Sequence, residues 1–287
     1  MVPSVKLFLL PVLAFAGAAL TGCNHSREIA VDLLGKHDRT GFMIKEITRG
    51  ARTRRYALFV PLTYSFTNPV KTPVIIFLHG VNEAGNLGKD QLRVGLGPIV
   101  GDLESTFNFF VIFPQSDNGY WYPDSNSAMD VLFELDAVAK MYPGADMERV
   151  SLTGIGSGGS GTWMLGAKYK NRFAALAPMA STTNDPGEAR NLADMPIRAY
   201  HNSGDLIAAT YWDTVMVERI RSFGGKAEMF VTEGYGSNCW DYAYGQSDLF
   251  QWLAQQRRPR PYGMVPTPVP AGPSLRANSA AYVSAVP

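Results

Sequence analysis

Val150-Ser151-Leu152-Thr153-Gly154-Ile155-Gly156-Ser157-Gly158-Gly159-Ser160-Gly161-Thr162-Trp163 decides the fold of this chain. Val150 to Thr153 is a short apolar run of the kind a strand buried on both faces presents. Gly154, Gly156 and Gly158 then let the backbone turn sharply and pack closely, and Ser157 to about Lys168 is expected to be a helix. Working outward, the same alternation repeats. Pro73 to His79 closed by Gly80, Phe109 to Phe113, Ala174 to Met179 and Ile197 to Tyr200 read as buried strands. Ala128 to Met141, stopped by Tyr142-Pro143-Gly144, Ile207 to Ser222 and Gln246 to Gln255 read as helices. Phe42 to Thr48 and Arg54 to Val60, separated by Arg49-Gly50-Ala51, suggest an antiparallel hairpin in front. The expected class is therefore α/β: a mainly parallel sheet with helices on both faces and an N-terminal antiparallel hairpin. Reactive groups in such sheets lie at the carboxyl ends of the strands.

With 46% apolar and 18% charged residues the chain can bury a sizeable core. Its formal net charge is +1 and its Lys and Arg are scattered, which speaks against a nucleic-acid partner. Lys6 precedes an apolar run, Leu7 to Leu20, broken by Pro11; it is short for a membrane span and built like a secretory signal. The run ends in Leu20-Thr21-Gly22-Cys23, which resembles the bacterial lipoprotein signal. That resemblance implies removal of 1–22 and lipidation of Cys23, leaving an exported protein of the bacterial cell envelope held to a membrane by its acyl chains. Ordinary cleavage near Ala14-Phe15-Ala16, with Cys23 incidental, is the alternative. A tether over 23–40, one globular domain over 41–258 and a Pro-rich tail over 259–287, either disordered or a stiff spacer, complete the organisation. If Cys23 is acylated, Cys239 has no disulfide partner. His25, His37, His79 and His201 are too scattered for a metal-ligand motif, and no cofactor is expected.

The pattern Gly154-x-Gly156-x-Gly158 is that of a nucleophile elbow, Gly-x-Ser-x-Gly, with glycine where the serine belongs. Together with Phe77-Leu78-His79-Gly80, Glu83 and Gly85, Gln91-Leu92, Gly95-Leu96-Gly97-Pro98, Phe113-Pro114-Gln115, Gly161-Thr162-Trp163 and Arg172-Phe173-Ala174-Ala175, it resembles the α/β-hydrolase superfamily, in particular secreted carboxylesterases of the feruloyl esterase and polyhydroxybutyrate depolymerase group. The resemblance covers about Phe42 to Arg258. It implies a serine, an acid and a histidine in that chain order, with two backbone amides holding the oxyanion. The acid position falls on Asp205, which could equally cap a helix. The histidine position of the family's Gly-His-x-x-Trp falls on Ser237, in Gly236-Ser237-Asn238-Cys239-Trp240. A serine hydroxyl cannot accept and return a proton near neutral pH as an imidazole does. Two of the three triad positions, Gly156 and Ser237, are therefore chemically empty. The oxyanion donors would be the amides of Ser157 and of Val81 or Asn82. In the family Glu83 is often followed by arginine, and here Ala84 stands in its place.

Two further readings remain open at this point. Ser157 could act as a displaced nucleophile, but at the first turn of a helix its side chain points about 100° away from that of residue 156, and it would need His79 or His201 as base. Tyr120-Trp121-Tyr122, Trp163, Trp240 and Tyr242 either line a groove for a carbohydrate or an aromatic ester or pack in the core; Trp121 and Trp240, with His79, are the candidates for the cleft. The expected function is a lipid-anchored α/β-hydrolase-fold protein that binds or scaffolds without catalysis, the alternative being an active esterase built on Ser157.

Overall fold

A computed structural model of the chain describes residues 29–258. The leader, Cys23 and the Pro-rich tail lie outside the described residues. After a short helical turn, α1 (Ile29–Asp32), the strands β1 (Gly41–Arg49), β2 (Arg52–Val60), β3 (Thr72–Leu78), β4 (Phe110–Phe113), β5 (Ala145–Ile155), β6 (Ala175–Met179), β7 (Arg198–Gly204) and β8 (Glu228–Tyr235) form one sheet in the order β1-β2-β4-β3-β5-β6-β7-β8. β1 and β2 form the antiparallel hairpin and β2 runs antiparallel to β4, while β4, β3, β5, β6, β7 and β8 run parallel.

The side-chain alternation of a strand divides the core in two. Val74, Ile76 and Leu78 of β3 face one way and pack with residues of α3 (Asn126–Met141), α4 (Ser157–Lys168) and α5 (Tyr211–Ser222). Ile75 and Phe77 face the other way, against α2 (Leu96–Asp102), α6 (Trp240–Gly245) and α7 (Leu249–Gln255). All seven residues of β3 are buried, which explains its unbroken apolar run. Ser125 caps α3 by accepting from the Ala128 amide, 3.1 Å away.

Several expectations need correction. The helix expected from Ile207 begins at Tyr211, because 205–210 is held as a turn by the Asp205 carboxylate. The helix expected from Gln246 to Gln255 begins at Leu249, as α7, with α6 a separate short helix before it, and β5, expected from Val150, begins at Ala145. β8 and α2 did not stand out: β8 alternates exposed Glu228, Val231 and Glu233 with half-buried residues, and α2 opens on Leu96-Gly97-Pro98, a poor helical signal. Among the described residues no helix is long and apolar enough to cross a membrane.

Candidate active site

β5 ends at Ile155, and the chain turns at Gly156 with φ +56° and ψ −119° before α4 begins. This is backbone that a side-chain-bearing residue adopts only at a cost of about 1–3 kcal/mol. The turn is pinned at both ends: the Gly156 amide donates to the Met179 carbonyl at 3.0 Å, and its own carbonyl accepts from the Ser160 amide at 3.0 Å. Gly154 and Gly158 are required by space, since a Cβ on Gly154 would overlap the Gly158 carbonyl and one on Gly158 would overlap that of Leu78. Gly156 is different. A Cβ there meets nothing within 4 Å, so a side chain at this position would stand in open space.

Ser157 does not take over that place. It is 5% exposed, and its Oγ donates to the Gly119 carbonyl at 2.6 Å, which ties the elbow to the loop after β4. Gly119 in turn lies directly against Val81, where a Cβ would overlap the Val81 Cα. The start of α4 and the turn Val81–Glu83 are thereby both held against Gly119. Gln115 and Arg54 fix the remainder of that loop. Gln115 donates to the Glu83 carbonyl at 3.0 Å and accepts from the Gly88 amide at 2.7 Å, and Arg54 donates to the Gly85 carbonyl at 2.7 Å and ion-pairs with Asp117. Burial, reinforced by the charge of Asp90, pushes the Glu83 carboxyl above its ordinary range. Arg54, on β2, had no signal in the sequence as a clamp on this loop.

His79 and Trp121 sit beneath the surface rather than lining a cleft; both are fully buried. The His79 Nδ1 lies 2.6 Å from the Gly80 carbonyl, its Nε2 accepts from the Ser116 amide at 3.0 Å, and the Trp121 indole donates to the His79 carbonyl at 3.0 Å. With one ring nitrogen donating and the other accepting, the imidazole is neutral. Burial pushes its pKa down to about 4. Trp163 is also core, and Trp240 is half-buried at the start of α6. Tyr120 and Tyr122 are the exposed members of the aromatic group, stacked with centroids 5.9 Å apart.

Asp205 follows β7. Its Oδ1 accepts from the amides of Ile207 and Ala208 at 2.8 and 2.9 Å, while Oδ2 is buried without a hydrogen-bond partner. Its nearest basic neighbour is His201 Nε2, at 3.4 Å. His201 is fixed from both sides: Nδ1 lies 2.7 Å from Asp213 Oδ2, and Nε2 lies 2.7 Å from the Ala208 carbonyl. Asp213 also accepts from the Trp163 indole at 2.6 Å and from the Ser181 amide at 3.0 Å. Ala180, at φ +47°, turns the chain that presents this last amide. Acceptors at both ring nitrogens suit the charged imidazolium. Burial pulls the His201 pKa down, but the hydrogen bond and charge of Asp213, helped by Ala208 and Asp205, outweigh it and raise the value. Asp213 was invisible to sequence reasoning, since nothing in the spacing marks it as the partner of His201. Ser237 stands half-exposed in the loop between β8 and α6, its carbonyl accepting from the Cys239 amide at 2.8 Å. Cys239 is buried and donates to the Tyr200 carbonyl at 3.3 Å. Among the described residues no three His, Cys, Asp or Glu side chains converge as metal ligands.

An eight-stranded sheet with an antiparallel hairpin in front, an elbow between β5 and α4 and an acid after β7 defines the α/β-hydrolase fold. The solved structures agree. A thermostable esterase superposes with a TM-score of 0.68 at 24% identity, over 76% of this chain and 63% of that one. A ferulic acid esterase gives 0.57 at 15% identity, over 74% and 97%. The fluorophosphonate-binding serine hydrolase F of Staphylococcus aureus gives 0.58 at 14% identity, over 75% and 98%. The chain thus spans under two thirds of the thermostable esterase. No family model and no curated protein matches the sequence.

The two histidines set opposite limits on stability. His79, depressed in the fold, contributes stability that is present above about pH 6.5 and is lost as pH falls toward 4, amounting to about 3 kcal/mol. His201, raised in the fold, contributes stability that is present below about pH 6.5 and is lost as pH rises through its elevated pKa. Urea midpoints measured from pH 4.5 to 9 are expected to peak near pH 6 to 7. His201→Gln should flatten the alkaline limb and leave the acid limb standing; an unchanged alkaline limb would contradict the charged state of His201.

Proposed function

We propose that this α/β-hydrolase-fold protein has lost the serine mechanism and serves as a binding or scaffolding module of the bacterial envelope. One observation carries the reading: the elbow keeps its backbone geometry at Gly156 while the reacting side chain is absent. The state of the histidines supports it, because neither His79 nor His201 has a ring nitrogen free to accept a proton from a nucleophile. The engagement of the Ser157 hydroxyl with the Gly119 carbonyl speaks against a displaced nucleophile. The similarity to esterases makes an ester or a carbohydrate the natural ligand of the vestigial cleft.

Loss of the hydroxyl has a physical benefit. Glycine relieves the elbow strain of about 1–3 kcal/mol that an active enzyme tolerates. The open space above Gly156 also leaves room for the missing hydroxyl to return. The wild-type chain is expected to leave p-nitrophenyl acetate and butyrate at the buffer rate. Gly156→Ser combined with Ser237→His should raise kcat/KM at least tenfold above that background, and neither single variant should, because triad members act as a unit. Turnover by the wild type, abolished by Ser157→Ala, would reverse the reading. A folded but inert double variant would show that the remaining cleft is not esterase-like.

Anchoring through a lipid on Cys23 completes the proposal, and it rests on Leu20-Thr21-Gly22-Cys23. In a bacterial host fed an alkyne-bearing fatty acid, the wild-type chain should take up the label and partition into Triton X-114. Cys23→Ala should do neither; a labelled Cys23→Ala variant would place the anchor elsewhere, and an unlabelled wild type would remove it.

A further inference from the structure

At the carboxyl ends of β7 and β8 the protein exposes large apolar side chains almost completely. Leu206 is 93% exposed, Ile207 82% and Tyr235 95%, with Tyr211 at 63% beside them at the start of α5. Single exposed apolar residues need no explanation, but a contiguous group does. They share one corner of the fold: Gly204, two residues before Leu206, pairs with Tyr235 across the two strands, a Cβ on Gly204 would lie 3.0 Å from the Tyr235 ring, and Tyr211 opens the helix that follows the Asp205 turn.

The protrusion is built, not slack. Asp205 Oδ1 holds the amides of Ile207 and Ala208, Ala208 is buried with its carbonyl on His201, and the Thr210 hydroxyl donates to the Asn202 carbonyl at 3.2 Å. The acid position of the old triad thus serves as the pedestal that holds Leu206 and Ile207 in solvent. At about 150–250 Å² per side chain the four offer on the order of 700 Å², close to the roughly 800 Å² that each partner brings to a stable interface.

Charge selects the occupant. Apart from Arg198, which opens β7 at the amino end and pairs with Glu228 and Asp248, the residues that supply β6, β7, β8 and the loops at their carboxyl ends, 173–189, 198–218 and 227–256, contain no Lys or Arg. Asp185, Glu218, Glu233 and Asp241 are exposed there. A second copy would set these acids against one another, and an anionic bilayer would be repelled. We infer that this corner docks a cationic polypeptide segment bearing apolar side chains. The inference rests on the reading that this face of the protein binds rather than reacts.

The test uses the full chain in a nonionic detergent, against a blank of detergent alone. The probe is a fluorescein-labelled twelve-residue peptide of alternating Lys and Leu, and the control is the same peptide with Glu for Lys. Fluorescence anisotropy should show saturable binding of the Lys peptide only, weakened at least threefold between 50 and 300 mM NaCl. Leu206→Ser with Ile207→Ser should weaken it at least tenfold at an unchanged melting temperature, since both side chains lie outside the core. Glu233→Gln with Asp241→Asn should weaken it about threefold. Undiminished binding by the Leu206→Ser, Ile207→Ser variant, equal binding of the Glu peptide, or no binding would each overturn the proposal. So would a dimer in sedimentation that this same variant dissolves, which would make a second copy the occupant. Ester turnover measured on the same preparation separates the two claims: turnover with intact peptide binding removes only the catalytic silence, and absent binding without turnover removes only the docking site.

Discussion

The first turn of α4 rests directly on the carbonyls that end β3 and β6, and the architecture of the site depends on that approach. Gly154 and Gly158 permit it because any side chain there would overlap backbone. Backbone contact of this kind resists drift, since relieving it would move β3, β5 and β6 together. It also holds the elbow conformation in place. Gly156 keeps a positive φ with no side chain to present, held by the carbonyl of Met179 and the amide of Ser160.

Around this fixed turn the polar groups are engaged in structure. Ser157 spends its hydroxyl on Gly119, His79 braces the loop after β3, and His201 links Asp213 to Ala208 and Asp205. A catalytic imidazole needs one nitrogen facing an orienting acid and the other facing a nucleophile. His201 instead has acceptors on both sides, an arrangement that favours the charged ring and raises its pKa. Asp205 shapes the turn at 205–208 through the amides of Ile207 and Ala208, and its Oδ2 lies 3.4 Å from His201 Nε2.

The sequence made the centre of the sheet legible because β3, β4, β6 and the second half of β5, Val150–Ile155, are buried on both faces, whereas the first half of β5 carries Asp146, Glu148 and Arg149 and has no apolar run. The edge was harder. β8 has polar residues on its exposed positions and α2 begins within a Gly-Pro stretch, so neither carries a strong period. In the site, the expectations at Gly156, Ser237, Asp205 and the oxyanion amides come from spacing set against a family pattern. Pairings across the fold could not. Ser157 with Gly119, Trp163 with Asp213 and Arg54 with the loop after β3 join residues whose separation along the chain carries no signal. The same limit explains Trp121: its aromatic neighbours Tyr120 and Tyr122 are exposed, but the indole itself is drawn under α4 by close packing on Gly161, where a Cβ would lie 2.5 Å from the Trp121 Cβ.

The central claim is the absence of an activated nucleophile, and covalent trapping tests it most directly. The purified full chain, incubated with a fluorophosphonate and read by intact-mass spectrometry, is expected to keep its unmodified mass under conditions in which a working serine hydrolase is fully labelled. A stoichiometric adduct mapping to the peptide that contains Ser157, and lost in Ser157→Ala, would contradict the account.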